Sequence, residues 1–166
     1  MKKRGKQAEL KPNAAFLLSQ VGAHSAETFA KMLTPLQLSP AHSGILWILG
    51  RSAGVSQKEL ASTLKIHPSR LVALLDELEG RGLVERRGHT VDRRLYALHL
   101  TAKGQAAFEK IRHLAEEHLK LICGALSNTE CAQLTEMLQR IAEERGLTPG
   151  VHPGYRWLGR KIRSKD

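Results

Sequence analysis

Apolar residues recur three and four positions apart along most of the chain, a spacing typical of helices that bury one face. The spacing predicts six helices, over residues 14–34, 39–49, 56–64, 67–79, 101–126 and 127–145. Between the fourth and fifth helices the pattern changes to two short strand-like runs, LVER and LYALHL. The pattern therefore predicts a mainly α fold with one small β-hairpin.

Polar residues that cap helices stand where these helices are predicted to begin. Ser39 precedes Pro40, a residue that suits the first helical position, and Thr101 precedes the fifth helix. Residues 56–59 and 127–130 have the S-x-x-E spacing of a capping box, in which each side chain accepts the other residue's backbone N–H. Glycines mark the predicted ends of the second and fourth helices, at Gly50, Gly80 and Gly82.

The order of elements is helix, short turn, helix and hairpin, which is the order of a winged helix-turn-helix. In that motif the second of the paired helices enters the DNA major groove, where all four base pairs are distinguishable. We assign the winged unit to residues 39–100, within one domain that covers residues 13–145. The flanking segments, residues 13–35 and 101–145, add more apolar faces than one small domain readily buries, so we expect N- and C-terminal dimerisation helices.

Composition fits one helical domain with tails. Of the 166 residues 42% are apolar but only 4% aromatic, so aliphatic side chains must fill the core. No apolar run is long enough to span a bilayer and no signal peptide is recognisable, so we expect a soluble, cytoplasmic protein. Cys123 and Cys131 are too few for a secreted disulfide framework, and we expect two small buried side chains there.

The net charge of +10 is concentrated at the two ends of the chain. Residues 1–11 hold five Lys/Arg and one Glu, and residues 146–166 hold five Lys/Arg and one Asp, which leaves +2 for the body. We expect residues 1–12 to be a disordered basic arm and residues 146–166 to be a basic tail. The tail could wrap a partner subunit, lie on flanking phosphates or simply be solvated.

Two arginine pairs, Arg86–Arg87 and Arg93–Arg94, flank the predicted hairpin turn. Like charges this close require a compensating anion, and DNA phosphate is the expected one for a wing tip. Asp92 could hold a neighbouring guanidinium in place by a bidentate pair. The alternative is a solvated hairpin that is stabilised by Glu85 and Asp92 within the chain.

Three motifs follow one another in this region: L-x-x-L-E-x-R-G-L-V-E-R-R, then D-R-R, then L-T-x-x-G. The ordered set, within residues 56–104, resembles the DNA-binding core of the MarR (multiple antibiotic resistance regulator) family. The flanking helices match in order and length, so the resemblance covers roughly residues 14–145. The chain departs from the family at the wing tip, where Gly88, His89 and Thr90 replace an acidic-proline turn.

The resemblance implies a homodimeric repressor or activator that binds double-stranded DNA at a pseudo-palindromic promoter site. It places Arg94, or its neighbour Arg93, in the minor groove and makes Arg70 the best candidate for pairing with guanine. The full set of DNA-binding residues predicted here is Ser56, Gln57, Pro68, Ser69, Arg70, Val72, Ala73, Arg86, Arg87, Asp92, Arg93 and Arg94. Ser56 and Gln57 would bind phosphate at a helix N-terminus.

Members of such a family often bind a small-molecule effector between the dimer helices and the winged unit. By position, the candidate ligand-binding residues are His24, His42, Trp47 and Arg51, although a core tryptophan and surface histidines explain each one singly. Metal sensing and cysteine-based redox sensing also occur in the family. For a metal site, His113 and Glu117 share a helix face. For redox sensing, the reactive cysteine is expected near the start of the first helix, and this chain has none there. We predict no metal and no cofactor.

Enzymes are the alternative from a different functional class. The sequence STLK at residues 62–65 fits S-x-x-K, but its companion motifs are absent, as are a phosphate loop, a dinucleotide fingerprint and H-E-x-x-H. We therefore predict no catalytic residues. The remaining alternative is a winged helix used only as a protein-interaction module, which would have little reason to keep an arginine wing.

Overall fold

The computed structural model describes residues 13–88 and 96–152. The predictions for the arm, for Asp92, Arg93 and Arg94, and for the tail from residue 153 lie outside the described residues. The described helices are α1 (Ala14–Leu33), α2 (Pro40–Arg51), α3 (Gln57–Leu64), α4 (Pro68–Gly80), α5 (Ala102–Cys123) and α6 (Asn128–Glu144). The strands are β1 (Val55–Ser56), β2 (Val84–Gly88) and β3 (Tyr96–Leu100), and a 3₁₀ turn covers Thr34–Leu36. The predicted mainly helical fold with a hairpin wing is confirmed.

The predicted helix starts are confirmed by hydrogen bonds at the helix ends. Both capping boxes form, because in residues 56–59 and 127–130 the serine hydroxyl accepts the glutamate N–H and the carboxylate accepts the serine N–H. Ser39 begins α2, and His42 completes a third box by accepting the Ser39 N–H on Nδ1 at 3.3 Å. Thr101 begins α5 by accepting the Gly104 N–H at 3.0 Å. These local contacts fix where each helix enters the fold.

Strand β3 lies in the middle of a three-stranded antiparallel sheet with the order β1-β3-β2. In the predicted hairpin Val84 pairs with Leu100 and Gly88 with Tyr96. Strand β1 was not predicted, because two residues are too few to show an alternating pattern. Its pairing of Val55 with Leu98 attaches the start of α3 to the base of the wing.

The core lies where α2, α3 and α4 pack against the sheet and against the first half of α5. Leucine dominates it, as the low aromatic content predicts, and the fully buried side chains are Leu33, Ile45, Leu46, Leu60, Leu71, Leu75, Leu78, Leu98 and Ile111. Leu33 is the one buried residue of α1, and α6 has none within this chain. None of the helices in the described ranges combines the length and the apolarity that crossing a membrane requires.

Helix α2 continues through Gly50 to Arg51, so the prediction that Gly50 ends this helix is wrong. A Cβ atom at this position would lie 2.6 Å from the ring of Phe108 on α5. The approach is closer still at Gly104 in the first turn of α5, because an added Cβ atom there would lie 1.9 Å from the carbonyl oxygen of Leu83. Both glycines allow α5 to approach the winged unit closely.

Candidate nucleic-acid interface

Residues 65–67 form the turn between α3 and α4. Lys65 adopts the left-handed conformation, with φ of 52°, and its N–H donates to the carbonyls of the last turn of α3. His67 then caps α4 by accepting the Ser69 N–H on Nδ1 at 3.3 Å, and Pro68 occupies the first helical position. The chain thus makes the tight reversal that a helix-turn-helix requires.

Helix α4 buries one face and presents the other to solvent. Leu71, Leu75 and Leu78 are buried against the core. On the opposite face the predicted base-reading residues Pro68, Ser69, Val72 and Ala73 are exposed, and Arg70 is half-buried. The outward face combines a hydroxyl, a guanidinium and small apolar groups, a mixture that can contact base edges and thymine methyl groups.

The start of α3 carries a carboxylate where phosphate binding was predicted. Ser56 and Gln57 are half-buried there. The Ser56 N–H donates to Oε2 of Glu59 at 2.8 Å, and its hydroxyl accepts the Glu59 N–H at 3.2 Å. The capping box therefore uses the groups of Ser56 that a phosphate would contact, and Glu59 adds a negative charge beside them.

The two described arginines of the wing both pair within the chain. Arg86 contacts the carboxylates of Asp76, at 2.7 Å, and Glu79 on α4, and its side chain is only 24% exposed. Arg87 donates from Nε to Glu85 at 2.9 Å on the same strand and is 60% exposed. Arg86 therefore joins the wing to α4, while Arg87 stays on the outer surface. The pair between Arg87 and Glu85 agrees with the alternative of a solvated hairpin, whereas the partners of Arg86 on α4 were not predicted.

Comparison with known proteins identifies this arrangement. Residues 36–95 match the sequence profile of the MarR family. A transcriptional regulatory protein for the hcr operon of Thauera aromatica is 30% identical over 122 residues, which are 73% of this chain and 74% of that protein. The HTH-type transcriptional regulator BilQ of Clostridium symbiosum is 32% identical over 111 residues, 65% of this chain and 77% of BilQ. The chain belongs to the MarR family.

Solved structures of transcriptional regulators share the architecture. The repressor CouR bound to a 23-mer DNA duplex superimposes with a TM-score of 0.71 and 35% identity, over 84% of this chain and 99% of CouR. Apo MarR of Escherichia coli gives a TM-score of 0.70 and 25% identity, over 81% of this chain and 98% of MarR. The family resemblance read from the sequence is confirmed, and so is the prediction of a transcriptional regulator rather than an enzyme.

The four effector candidates of this MarR-family protein differ in exposure and surroundings. His24 and Arg51 are exposed, and Trp47 packs on Phe108 with ring centroids 5.7 Å apart. A cavity of about 640 Å³ lies instead between α1, α5 and the start of α2. Its lining includes Ser25, Phe29, Ala30, Pro40, Ala115 and His118, and none of the four candidates. No sequence pattern indicates this set, because its members belong to three separate helices.

His42 is the one buried histidine among the described residues, with 7% of its surface exposed. Its Nδ1 accepts the Ser39 N–H, so the proton of the neutral ring sits on Nε2. Nε2 lies 3.0 Å from a carboxylate oxygen of Glu77 on α4, but not in hydrogen-bond geometry. Burial lowers the pKa of His42, Glu77 opposes this effect, and Arg81 lowers the pKa further.

The metal hypothesis gains no support from side-chain positions. His113 and Glu117 share a face of α5, as their spacing predicts, with Nε2 3.5 Å from Oε1. His42 lies against Glu77 on α4, with Nε2 3.0 Å from its carboxylate, and His118 contacts the carbonyl oxygen of Ser25 at 3.0 Å. Within residues 13–88 and 96–152, no three His, Cys, Asp or Glu side chains lie close enough together to hold a metal ion.

Cys123 ends α5 and Cys131 lies in the second turn of α6, and both are free thiols. Both are half-buried rather than fully buried, so the prediction of buried packing is met only in part. Burial raises the pKa of Cys123, and a hydrogen bond with Cys131 raises it further. A raised pKa lowers the fraction of thiolate, which is the reactive form.

Proposed function

We propose that this protein is a homodimeric repressor that binds double-stranded DNA at a pseudo-palindromic operator. The observation that carries the proposal is the exposed face of α4, held beside an arginine-bearing wing in the geometry of a MarR-family winged helix. The arrangement suits insertion of α4 into the major groove. Relatives named as repressors, CouR among them, support the sign of regulation. Because promoter DNA is the partner, we place its action in the cytoplasm.

Within this proposal the residues of α4 and of the wing have different roles. Ser69, Arg70, Val72 and Ala73 read base edges, with Arg70 as the candidate for bidentate pairing with guanine. Arg87 remains exposed on the wing and is suited to phosphate. Arg86 joins the wing to α4 through the carboxylates of Asp76 and Glu79, so its role in this proposal is to hold the wing rather than to contact phosphate.

Dimer formation is supported by the apolar surface that the single chain leaves uncovered. The outward-facing apolar side chains on the flanking helices are at least 38% exposed; they are Phe16, Leu17, Leu18, Val21, Leu119, Leu121, Met137, Leu138 and Ile141. An apolar groove of about 760 Å³ runs between α1, α5 and α6. Clusters of exposed apolar side chains on a single chain are typical of protein–protein interfaces. A second copy related by a two-fold axis would cover them and would place two α4 helices on two half-sites.

Release by a small-molecule effector is the second part of the proposal. The cavity of about 640 Å³ between α1 and α5 has the size and mostly apolar lining of a ligand site. Substituting Ala30→Leu would fill part of it. We expect this variant to bind operator normally and to lose release by any compound that releases the wild type. Release that persists unchanged would place the effector elsewhere.

The test of DNA binding is a titration against the DNA immediately upstream of the protein's own gene, with an unrelated duplex as control. A specific regulator should bind the first duplex about 10³-fold more tightly, and the ratio should persist as salt is raised. Arg70→Ala should weaken specific binding about tenfold to hundredfold. Lys110→Ala removes an equal charge from the exposed surface of α5 and serves as the matched control.

Equal and weak binding to both duplexes, abolished by moderate salt, would contradict the proposal. Such a result would mean that basic residues bind any polyanion without reading sequence. It would also favour the alternative of a winged helix that serves as a protein-interaction module.

A further inference from the structure

The end of the recognition helix α4 is tied to the corner between α1 and α2, which we define as residues 34–39. Arg81, directly after α4, donates from Nη1 to the carbonyl oxygen of Gln37 at 2.7 Å. Its Nη2 donates to the carbonyl oxygen of Leu36 at 2.9 Å. The planar guanidinium thus grips two consecutive carbonyls, 44 and 45 residues away in the sequence. Lysine, with a single ammonium group, could not reproduce this fork.

The corner that Arg81 contacts is stabilised by its own hydrogen bonds and by buried side chains. Gln37 has a left-handed backbone, with φ of 54°, and its N–H donates to the carbonyl of Thr34 at 2.8 Å. The N–H of Leu38 donates to the carbonyl of Leu33 at 3.3 Å. Leu33 and Leu38 are 0% and 6% exposed, so both ends of the corner are anchored in the core. A contact to this corner is therefore a contact to the end of α1.

A second contact joins the same two parts of the molecule. Glu77, four residues before Arg81 and hence on the same side of α4, lies 3.0 Å from Nε2 of the buried His42. His42 is fixed in turn by its capping interaction with Ser39 at the start of α2. Glu77 and Arg81 thus attach the last turn of α4 to both sides of the corner, independently of the leucine core.

We propose that Arg81 and Glu77 are positioning residues that set the angle of α4 relative to α1, and hence the separation of the two recognition helices in the dimer. Neither residue needs to touch a base to affect recognition. The proposal rests on the proposed dimer and operator, since α1 belongs to the uncovered apolar surface assigned to the dimer contact. It assigns the spacing preference of the operator to residues outside the base-reading face of α4.

The test measures affinity for a panel of operators whose half-site separation is shortened or lengthened by one or two base pairs, together with a duplex that keeps a single half-site. One base pair of change rotates a half-site about the DNA axis by roughly 34°, so a rigid dimer should discriminate at least as strongly as for a mismatch, about tenfold. Arg81→Met and Glu77→Ala keep the core intact, because Glu77 is 61% exposed and methionine retains the aliphatic stem. Arg112→Met is the control, because the partner of Arg112, Glu109, lies on the same helix.

In Arg81→Met and Glu77→Ala we expect the discrimination between spacings to fall to about twofold or less, with affinity for the single half-site unchanged. Arg112→Met should retain the wild-type preference. An unchanged spacing preference in both variants would overturn the inference. An equal loss of affinity on every duplex, the single half-site included, would also overturn it, because it would show a general folding defect. A wild type with no spacing preference would instead contradict the proposed dimeric operator binding.

Discussion

Arg86 on the wing strand β2 donates from Nη2 to a carboxylate oxygen of Asp76 on helix α4, at 2.7 Å. The same guanidinium contacts Glu79, so the wing and the helix that flank the proposed DNA surface are joined by three charges. The orientation of the wing relative to α4 therefore depends on this contact, and not only on the hydrogen bonds within the hairpin. It also separates Arg86 from Arg87, two residues that look equivalent in the sequence.

Removing this link should destabilise the fold moderately. We expect Arg86→Ala to lower the free energy of unfolding by about 1 kcal/mol, since the arginine is mostly covered but its carboxylates are partly exposed. Urea denaturation at low and high salt measures the change, which should shrink as salt screens the charges. Arg87→Ala should change stability by less than about 0.5 kcal/mol, because its pair with Glu85 is exposed. Equal losses in the two variants would refute the distinction.

The close approach of α2 and α5 at Gly50 leads to a packing prediction. Gly50→Ala should lower the free energy of unfolding by about 1–3 kcal/mol, because the new Cβ overlaps the buried Phe108 ring. The double variant with Phe108→Leu should regain part of that loss, and thermal denaturation can measure both. Gly80→Ala is the matched control, since nothing lies within 4 Å of a Cβ there. Destabilisation of similar size at both glycines would show that packing against Phe108 is not the cause.

His42 makes the stability of the fold depend on pH. Its pKa in the folded state is lowered, chiefly by burial and also by Arg81, with Glu77 acting in the opposite direction. The unfolded state therefore takes up a proton more readily, so the stability due to neutral His42 is present above its ordinary pKa of about 6.5 and is lost as the pH falls through the lowered value.

Urea denaturation between pH 8 and pH 5 tests this sign. We expect His42→Asn, which keeps an acceptor near the position of Nδ1, to lose less stability on acidification than the wild type does. Protonation would also remove the acceptor for the Ser39 N–H and so weaken the start of α2. An identical fall in the wild type and the variant would show that other groups control the acid dependence.

The proposed dimer predicts the effect of charges on α6. Leu138→Asp combined with Ile141→Asp should weaken dimerisation by at least about 30-fold, the effect of losing 2 kcal/mol at an interface hot spot. Both side chains are exposed in the single chain, at 38% and 46%, so the fold itself should tolerate the change. Analytical ultracentrifugation measures the association, and Gln139→Asp on the exposed side of α6 is the control. A wild type that sediments as a monomer would contradict the dimer directly.

Local features were predictable because their causes are local. The capping boxes at residues 56–59 and 127–130 and the start of α5 at Thr101 each depend on residues within one turn, and all formed as predicted. The leucine stripe of α4 likewise follows from helical periodicity alone. The ordered motifs of the winged unit were sufficient to indicate the family, which the matched residues 36–95 confirm.

What the sequence by itself determined is thus the order and type of the elements, their starts, the apolar faces and the family of the protein. Only the tertiary structure decided which partners the charged and special residues have. Arg81 meets carbonyls 44 and 45 residues away, Gly50 accommodates Phe108, and β1 exists only because β3 lies beside it. Such pairings depend on how helices cross and where chain ends meet, and those distances are set by packing of the whole core rather than by any short stretch of residues.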